Sequence, residues 1–211
     1  MNKEEFISAV KELGIELTEE QLIKLDKFYN LLIDWNEKIN LTRITEEQDV
    51  YLKHFYDSLT IAKVIDLSTK NTLCDVGTGA GFPGIVLKIV YPNLKITLVD
   101  SLLKRVNYLN TIIKDLELDN IKAIHSRGED FKEKFDVVTA RAVANIEKLL
   151  GFTMHLVNKD GLFIAMKGNI SEEMTESVIN KINEKYQIKD INSFLLPIEN
   201  SNRSLVVIKN K

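Results

Sequence analysis

The amino-acid sequence predicts an α/β protein: a mostly parallel sheet covered by helices, with an all-helical segment in front of it. Three observations carry this. The first seventy residues hold apolar side chains at helical spacing and never alternate like a strand. After a polar break at Ser68-Thr69-Lys70-Asn71, short apolar runs alternate with helical stretches, the pattern of parallel strands joined by crossover helices. The first of those runs leads into a glycine-rich turn within residues 75–84.

Residues 1–70 form the predicted helical extension and residues 71–211 the α/β domain. In the extension, Thr18 and Gln21 have the spacing of a capping box. Behind them Leu22, Leu25, Phe28, Leu32, Trp35 and Ile39 make one apolar stripe. A shorter helix is predicted from about Thr45 and another over 54–66. Strands are predicted at 72–76, 95–99, 121–125, 135–139 and 162–166, and helices at 83–90, 102–116, 146–156 and 171–185. The 83–90 helix runs against the strand propensity of its β-branched residues. It is read as helix because a glycine turn opens it, Pro83 suits a first helical position and Pro92 lies just past its end. The tail, 186–195 and 203–209, reads as two strands joined by a polar turn, an antiparallel pair at one edge.

Composition narrows the class. A chain of 211 residues, 45% hydrophobic and 28% charged, builds a core without disulfides. Its lone cysteine, Cys74, has no partner, so a reducing compartment is expected. No run of about 18 apolar residues occurs and no apolar leader follows Met1, so the protein is expected to be cytoplasmic, with no membrane contact. No Cys/His cluster has ligand spacing, so no metal is expected. The net charge of -3 is not the strongly basic balance usual for nucleic-acid binding. The charge is uneven: residues 1–70 carry 9 basic and 14 acidic side chains, the remainder 19 and 17. A weakly basic α/β part beside an acidic extension is compatible with RNA without requiring it.

The glycine turn, Asp75-Val76-Gly77-Thr78-Gly79-Ala80-Gly81-Phe82-Pro83-Gly84, can be read in two registers. Gly79, Gly81 and Gly84 satisfy the dinucleotide fingerprint, with Asp100 about twenty residues on. Gly77, Gly79 and Gly81 instead give D-x-G-x-G-x-G, the pattern of S-adenosylmethionine-dependent methyltransferases. Asp75 favours the second: a carboxylate there suits the methionine ammonium of S-adenosylmethionine and repels a pyrophosphate. Asp100, ending the second strand, accepts ribose hydroxyls in either register.

Methyl transfer from a sulfonium is an in-line displacement, and enzyme classes differ in how they activate the acceptor. Methylation at pyrimidine carbon-5 needs a covalent cysteine, and Cys74 lies within the first strand as a core residue. Methylation of an exocyclic amine goes with an Asn/Asp-Pro-Pro-aromatic run after the fourth strand, where this chain has Thr139-Ala140-Arg141-Ala142-Val143. An acceptor with a free lone pair, such as guanine N7, needs no base.

Over nearly its whole length the chain resembles the bacterial small-subunit ribosomal RNA guanine-N7 methyltransferases, the RsmG or GidB family. The residues that carry the likeness are Trp35-Asn36, Asn40-Leu41-Thr42, His54, Asp57-Ser58, the 75–84 segment, Leu98-Val99-Asp100-Ser101, Lys104-Arg105, Arg127, Glu129, Ala140-Arg141-Ala142 and Lys167-Gly168. The resemblance implies a Rossmann-like S-adenosylmethionine-dependent methyltransferase fold. It also implies methyl transfer to N7 of one guanine in the decoding-region loop of 16S rRNA, with the small ribosomal subunit as partner; a monomer is expected. It implies cofactor contacts at Gly77, Phe82, Gly128, Glu129 and Arg141; many members have alanine where this chain has Gly128. Arg141, the expected catalytic residue, pairs with either the cofactor carboxylate or an RNA phosphate. Lys167 and Arg203 are candidate phosphate contacts. His54 and Asp57 share a helix face and either dock the extension or line the RNA entrance. Asn36 and Asn40 either contact RNA or cap their helix, and Trp35 is read as core. The rival reading, suited to the acidic balance, is a small-molecule methyltransferase.

Overall fold

The computed structural model describes residues 1–211. Seven strands form one sheet in the order β3-β2-β1-β4-β5-β7-β6. They are β1 (Thr72–Val76), β2 (Lys95–Asp100), β3 (Ile121–His125), β4 (Phe135–Arg141), β5 (Val157–Lys167), β6 (Tyr186–Leu195) and β7 (Asn202–Asn210). β1 to β5 are parallel, and β7 runs antiparallel between β5 and β6. Strand order reverses between β1 and β4, and in open α/β sheets ligands bind past the carboxyl ends at that reversal. Asp75-Val76, Asp100, Arg141 and Lys167 all lie at those ends, and β7 starts there with Asn202 and Arg203.

The helices are α1 (Lys3–Glu12), α2 (Glu19–Ile39), α3 (Glu47–Val50), α4 (Asp57–Leu59), α5 (Gly84–Val90), α6 (Leu103–Asp115), α7 (Ile146–Thr153) and α8 (Glu176–Lys185). The capping box at α2 is present: Gln21 N–H donates to Thr18 Oγ1 at 3.3 Å, and Thr18 N–H donates to Gln21 Oε1 at 2.9 Å. Gln21 Nε2 also donates to Val90 O at 3.0 Å, tying the start of α2 to the end of α5. Of the apolar stripe, Leu25, Phe28 and Leu32 are fully buried, whereas Trp35 is half-buried, edge-on to Tyr108.

Two predicted helices prove to be one. α3 and α4 are joined without a break by a π-helical turn, Tyr51–Tyr56, which carries His54 and leads directly into Asp57. Such wide turns recur at functional sites, and no periodicity at 3.6 residues reveals them. α5 is a helix despite its β-branched residues. The glycine turn opens it, with Ile85 and Leu87 N–H donating to Gly81 O and Pro83 O at 2.7 and 3.0 Å, and all seven of its residues are buried, so no solvated face marks its period. Its one charge, Lys88, is 2% exposed and donates to Pro92 O and Leu94 O at 2.6 and 2.8 Å, just past the helix's own carboxyl end.

β5 starts five residues earlier than expected. Residues 158–161 bulge out of its pairing with β4, and a Cβ on Gly161 would lie 2.8 Å from Phe135 O. α8 starts later, at a Thr175 cap, because residues 171–174 form turns instead.

The helical extension shares its core with one face of the sheet. Phe28 packs on Phe55 and on Phe82 of the glycine turn, with ring centroids 5.7 and 5.3 Å apart, inside a single apolar cluster that reaches Ile164 and Val207. α7 and α8 cover the opposite face through a second cluster. No helix is long and apolar enough to cross a membrane.

Candidate active site

The glycine turn is held from beneath. Gly77 and Thr78 N–H both donate to Val99 O, at 2.8 and 3.2 Å, which docks the turn on β2. Gly77, Gly79 and Gly81 have φ of +70°, +59° and +95°, conformations that L side chains rarely adopt. Asp75 is fully buried under the turn. Its Oδ2 accepts from Thr78 Oγ1 at 2.7 Å and from Gly84 N–H at 2.9 Å, while Oδ1 is buried without a partner. Burial pushes this carboxyl up to about 6, against the opposing pull of the Thr78 and Gly84 hydrogen bonds. The sequence reading put Asp75 on a ligand; in the structure its first task is to brace the turn, and only Oδ1 is free.

Asp100 is 3% exposed and already engaged. Oδ2 accepts from Gly79 N–H at 3.0 Å and faces Arg105 at 3.4 Å, and Oδ1 accepts from Leu102 N–H at 2.9 Å. Val143, from the segment after β4, covers the edge of the turn: a Cβ on Gly77 would lie 2.7 Å from its Cγ2.

Beside the turn lies a cavity of about 510 Å³. Its charged lining is Lys53, Arg105, Arg141, Lys167 and Arg203 against the single carboxylate of Asp57. Each of these cations is ion-paired: Lys53 with Asp49 and Glu199, Arg105 with Asp100, Arg141 and Arg203 with Asp57, and Lys167 with Glu173. Every counter-charge except Asp57 lies outside the lining, so basic groups dominate the cavity wall. Arg141, the last residue of β4, donates through Nη1 to Asp57 Oδ2 and Lys53 O, each at 2.9 Å, and through Nη2 to His54 Nδ1 at 3.1 Å. Its guanidinium lies over the Phe82 ring at 5.3 Å. Arg203 Nε donates to the other oxygen of Asp57 at 3.0 Å. One carboxylate thus joins the ends of β4 and β7 to the π-helical turn.

His54 stacks on Phe82, with centroids 4.4 Å apart. Because a guanidinium can only donate, Nδ1 is the acceptor nitrogen, and Nε2–H donates to Thr42 Oγ1 at 2.9 Å. The Lys53 carbonyl 3.1 Å from Nδ1 takes its hydrogen from Arg141 instead. Burial first, then the Arg141 charge, push His54 down to about 3, so it is neutral at physiological pH. With its folded value below the unfolded 6.5, His54 contributes stability that is complete above pH 6.5 and lost as pH falls toward 3. Asp75, raised from 3.8, acts in the opposite sense between pH 3.8 and 6, but equally in wild type and variant. Thermal denaturation at pH 7 and 4.5 is therefore expected to show a smaller acid-induced fall in Tm for His54→Gln than for wild type. Each unit of the His54 gap corresponds to about 1.4 kcal/mol. Parallel profiles would contradict this assignment.

Of the candidate residues, His54, Gly77, Gly79, Phe82, Arg141, Lys167 and Arg203 line this cavity. Lys167 is anchored within it, donating to Ala144 O at 2.7 Å and pairing with Glu173 at 2.9 Å. Gly81 instead faces Ile85 and Leu109. Gly128 and Glu129 follow β3 outside the cavity, where a Cβ on Gly128 would meet Phe152 O and Val76 at 3.0 Å. Asn36 turns inward: its Oδ1 accepts from Leu41 and Thr42 N–H at 2.7 and 2.8 Å and so sets the Thr42 hydroxyl for His54. Asn40 is the left-handed cap of α2, with φ of +49° and its residue exposed. The sequence offers Asp57 as a dock for the extension without naming its arginine partners, and gives the Lys53 carbonyl no role. Asp57 and Arg203 are 146 positions apart, and nothing local to either announces the other.

The fold is one shared with solved structures, one of a methyltransferase and one of a protein bound to AdoMet. The chain superimposes on mitomycin 7-O-methyltransferase MmcR with a TM-score of 0.63 at 12% identity, covering 85% of this chain and 60% of that one. It superimposes on TYW2 of M. jannaschii, solved in complex with AdoMet, with a TM-score of 0.52 at 18% identity, covering 68% and 72%. The strand order, the glycine turn and these likenesses define the class as the Rossmann-like methyltransferase fold. Sequence comparison is more specific. Ribosomal RNA small subunit methyltransferase G of Bacillus subtilis (strain 168) is 46% identical over 216 residues, covering 99% of this chain and 90% of that protein. The protein of the same name from Oceanobacillus iheyensis is 45% identical over 220 residues, covering 100% and 92%. Residues 21–206 match the GidB family, rRNA small subunit methyltransferase G, and the chain belongs to that family of methyltransferases.

Proposed function

We propose that the protein transfers a methyl group from S-adenosylmethionine to N7 of one guanine in the decoding-region loop of 16S rRNA, acting on the small ribosomal subunit in the cytoplasm. The observation that carries this is a cavity lined by five basic side chains in which every candidate base is occupied. Both oxygens of Asp57 receive guanidinium hydrogens, and both ring nitrogens of neutral His54 are engaged. Such a site suits a polyanionic substrate whose acceptor atom carries a lone pair and no proton.

The residues fit the cofactor. The glycine turn offers an open face at Gly79, where an added Cβ would have only Gly77 O within 4 Å, at 3.9 Å, and the buried Asp75 Oδ1 lacks a donor that an ammonium group supplies. Asp100, at the end of β2, would accept ribose hydroxyls once Gly79 and Arg105 yield it, and the family likeness assigns Gly128 and Glu129, beyond the cavity lining, to the cofactor as well. Bound S-adenosylmethionine supplies an electrophilic methyl group that N7 attacks directly. The chain's own work is placement. Arg141 is fixed at three points, and of its five donor hydrogens Nε–H and one Nη2 hydrogen are left for a cofactor carboxylate or an RNA phosphate. Thr42 accepts from His54 and Ile44, so its own hydrogen points onward as a donor.

The test is transfer of labelled methyl to small subunits from cells lacking this protein, with the modified base mapped in the rRNA. Label on a single guanine N7 is the expected result. Methylation of small acceptors with none on rRNA would establish the small-molecule reading instead.

A further inference from the structure

The turn joining β6 to β7 departs from what a simple hairpin needs. Glu199 N–H donates to Pro197 O at 2.7 Å, closing a three-residue γ-turn around Ile198, whose φ is +69°. A γ-turn with positive φ at its centre is the rare, strained form. Six non-glycine residues have positive φ; three are asparagines, and Ile198 is the only β-branched one. For such a residue this conformation is a genuine outlier. The strain shields nothing, since Ile198 is 60% exposed and its neighbour Leu195 54%. Between them Leu196 is fully buried, so the turn is pinned in the core while its two other large apolar side chains face out.

This turn stands at the edge of the cationic cavity. Phe194, Arg203 and Ser204, on the strands leading into and out of it, line that cavity. Glu199 pairs with Lys53, another lining residue, at 3.3 Å, and Lys63 lies 5.0 Å over the Phe194 ring. The apolar tip is thereby braced against the helical run that carries His54 and Asp57.

We infer that Leu195 and Ile198 form an apolar wedge that packs against the faces of rRNA nucleobases flanking the target guanine, helping to hold that base out of its stack and in the cavity. This rests on the rRNA reading above. A nucleic-acid strand fits the surroundings because phosphates match the adjoining cations while unstacked bases present apolar faces at the same depth. The strain is then understandable as a cost retained at a functional site.

Ile198→Asn separates this from a structural role, because asparagine tolerates the left-handed region. The full chain is assayed for Tm, for S-adenosylmethionine affinity and for steady-state methylation of undermethylated small subunits. The expected result is a Tm raised by about 2–4 °C, unchanged cofactor affinity, and KM for subunits raised about tenfold with kcat little altered. Leu195→Ser, on the exposed strand end, should raise KM similarly without the gain in Tm. Subunit KM unchanged in both variants overturns the wedge, as does a change of oligomeric state accompanying the loss, which would make the tip a contact between copies. The wild-type arm keeps the two readings apart: with wild type active on subunits, unaltered variants sink the wedge alone, whereas wild type inactive on rRNA sinks both.

Discussion

Asp57→Ala is expected to lower stability by about 3 kcal/mol and the methyl-transfer rate by about two orders of magnitude. The Asp57 side chain is 8% exposed and accepts from Arg141 on one oxygen and from Arg203 on the other, at 2.9 and 3.0 Å. Those arginines come from β4 and β7, and their side chains are only 15% and 23% exposed. Alanine leaves two guanidiniums facing one another without a counter-charge, which costs more than the lost hydrogen bonds alone. Arg141 then repels Arg203, and its hold on the Lys53 carbonyl and His54 loosens. Asn is not expected to rescue: its amide oxygen can serve one arginine, but its NH₂ meets the other, donor against donor. Denaturant melts and single-turnover methylation of small subunits measure the two effects. A structural role alone would lower stability and leave the rate of the remaining folded protein intact.

What was legible in the sequence was whatever depends on neighbours in the chain. The Thr18–Gln21 cap, the strands around the glycine turn and the helix after it were read from local chemistry, and the structure has each of them. Buried α5 was legible only through its ends, since burial on every side removes the periodicity that names a helix. The π-helical turn was not legible. Its extra residue per turn leaves no mark in composition, so one helical run read as two. The site divides in the same way. Gly77 and Gly79 follow from a motif and Phe82 from the family likeness, and all three line the cavity. Asp75 belongs to the same motif, yet the motif does not say that the carboxylate braces the turn from below. Asn36 reads as either an RNA contact or a cap of its helix, and only the left-handed conformation at Asn40 brings the Leu41 and Thr42 amides back onto it. The bridge from Asp57 to Arg141 and Arg203 spans 84 and 146 positions, a pairing that sheet topology alone creates.

That bracing role makes Gly84 a sensitive position of the turn. Its backbone conformation is ordinary, so the constraint is purely steric. A Cβ there would lie 2.2 Å from Leu98 Cδ2 and 3.0 Å from Asp75 Oδ2. Leu98 is fully buried on β2, so it can yield only by disturbing its own neighbours. Gly84→Ala is therefore expected to cost about 1–3 kcal/mol through overpacking. The functional loss should be larger than that figure suggests. The oxygen that the methyl group crowds is the one holding Thr78 and Gly84, and the other oxygen has no partner to fall back on. Displacing it frees the turn that carries Gly77 and Gly79, and S-adenosylmethionine affinity should fall at least tenfold by calorimetry. Gly151→Ala is the control. Gly151 lies within α7 with nothing within 4 Å of an added Cβ, so alanine should add about 0.5–1 kcal/mol of stability and leave cofactor affinity unchanged. If Gly84→Ala bound the cofactor as wild type does, Asp75 would not be what holds the turn in its binding shape.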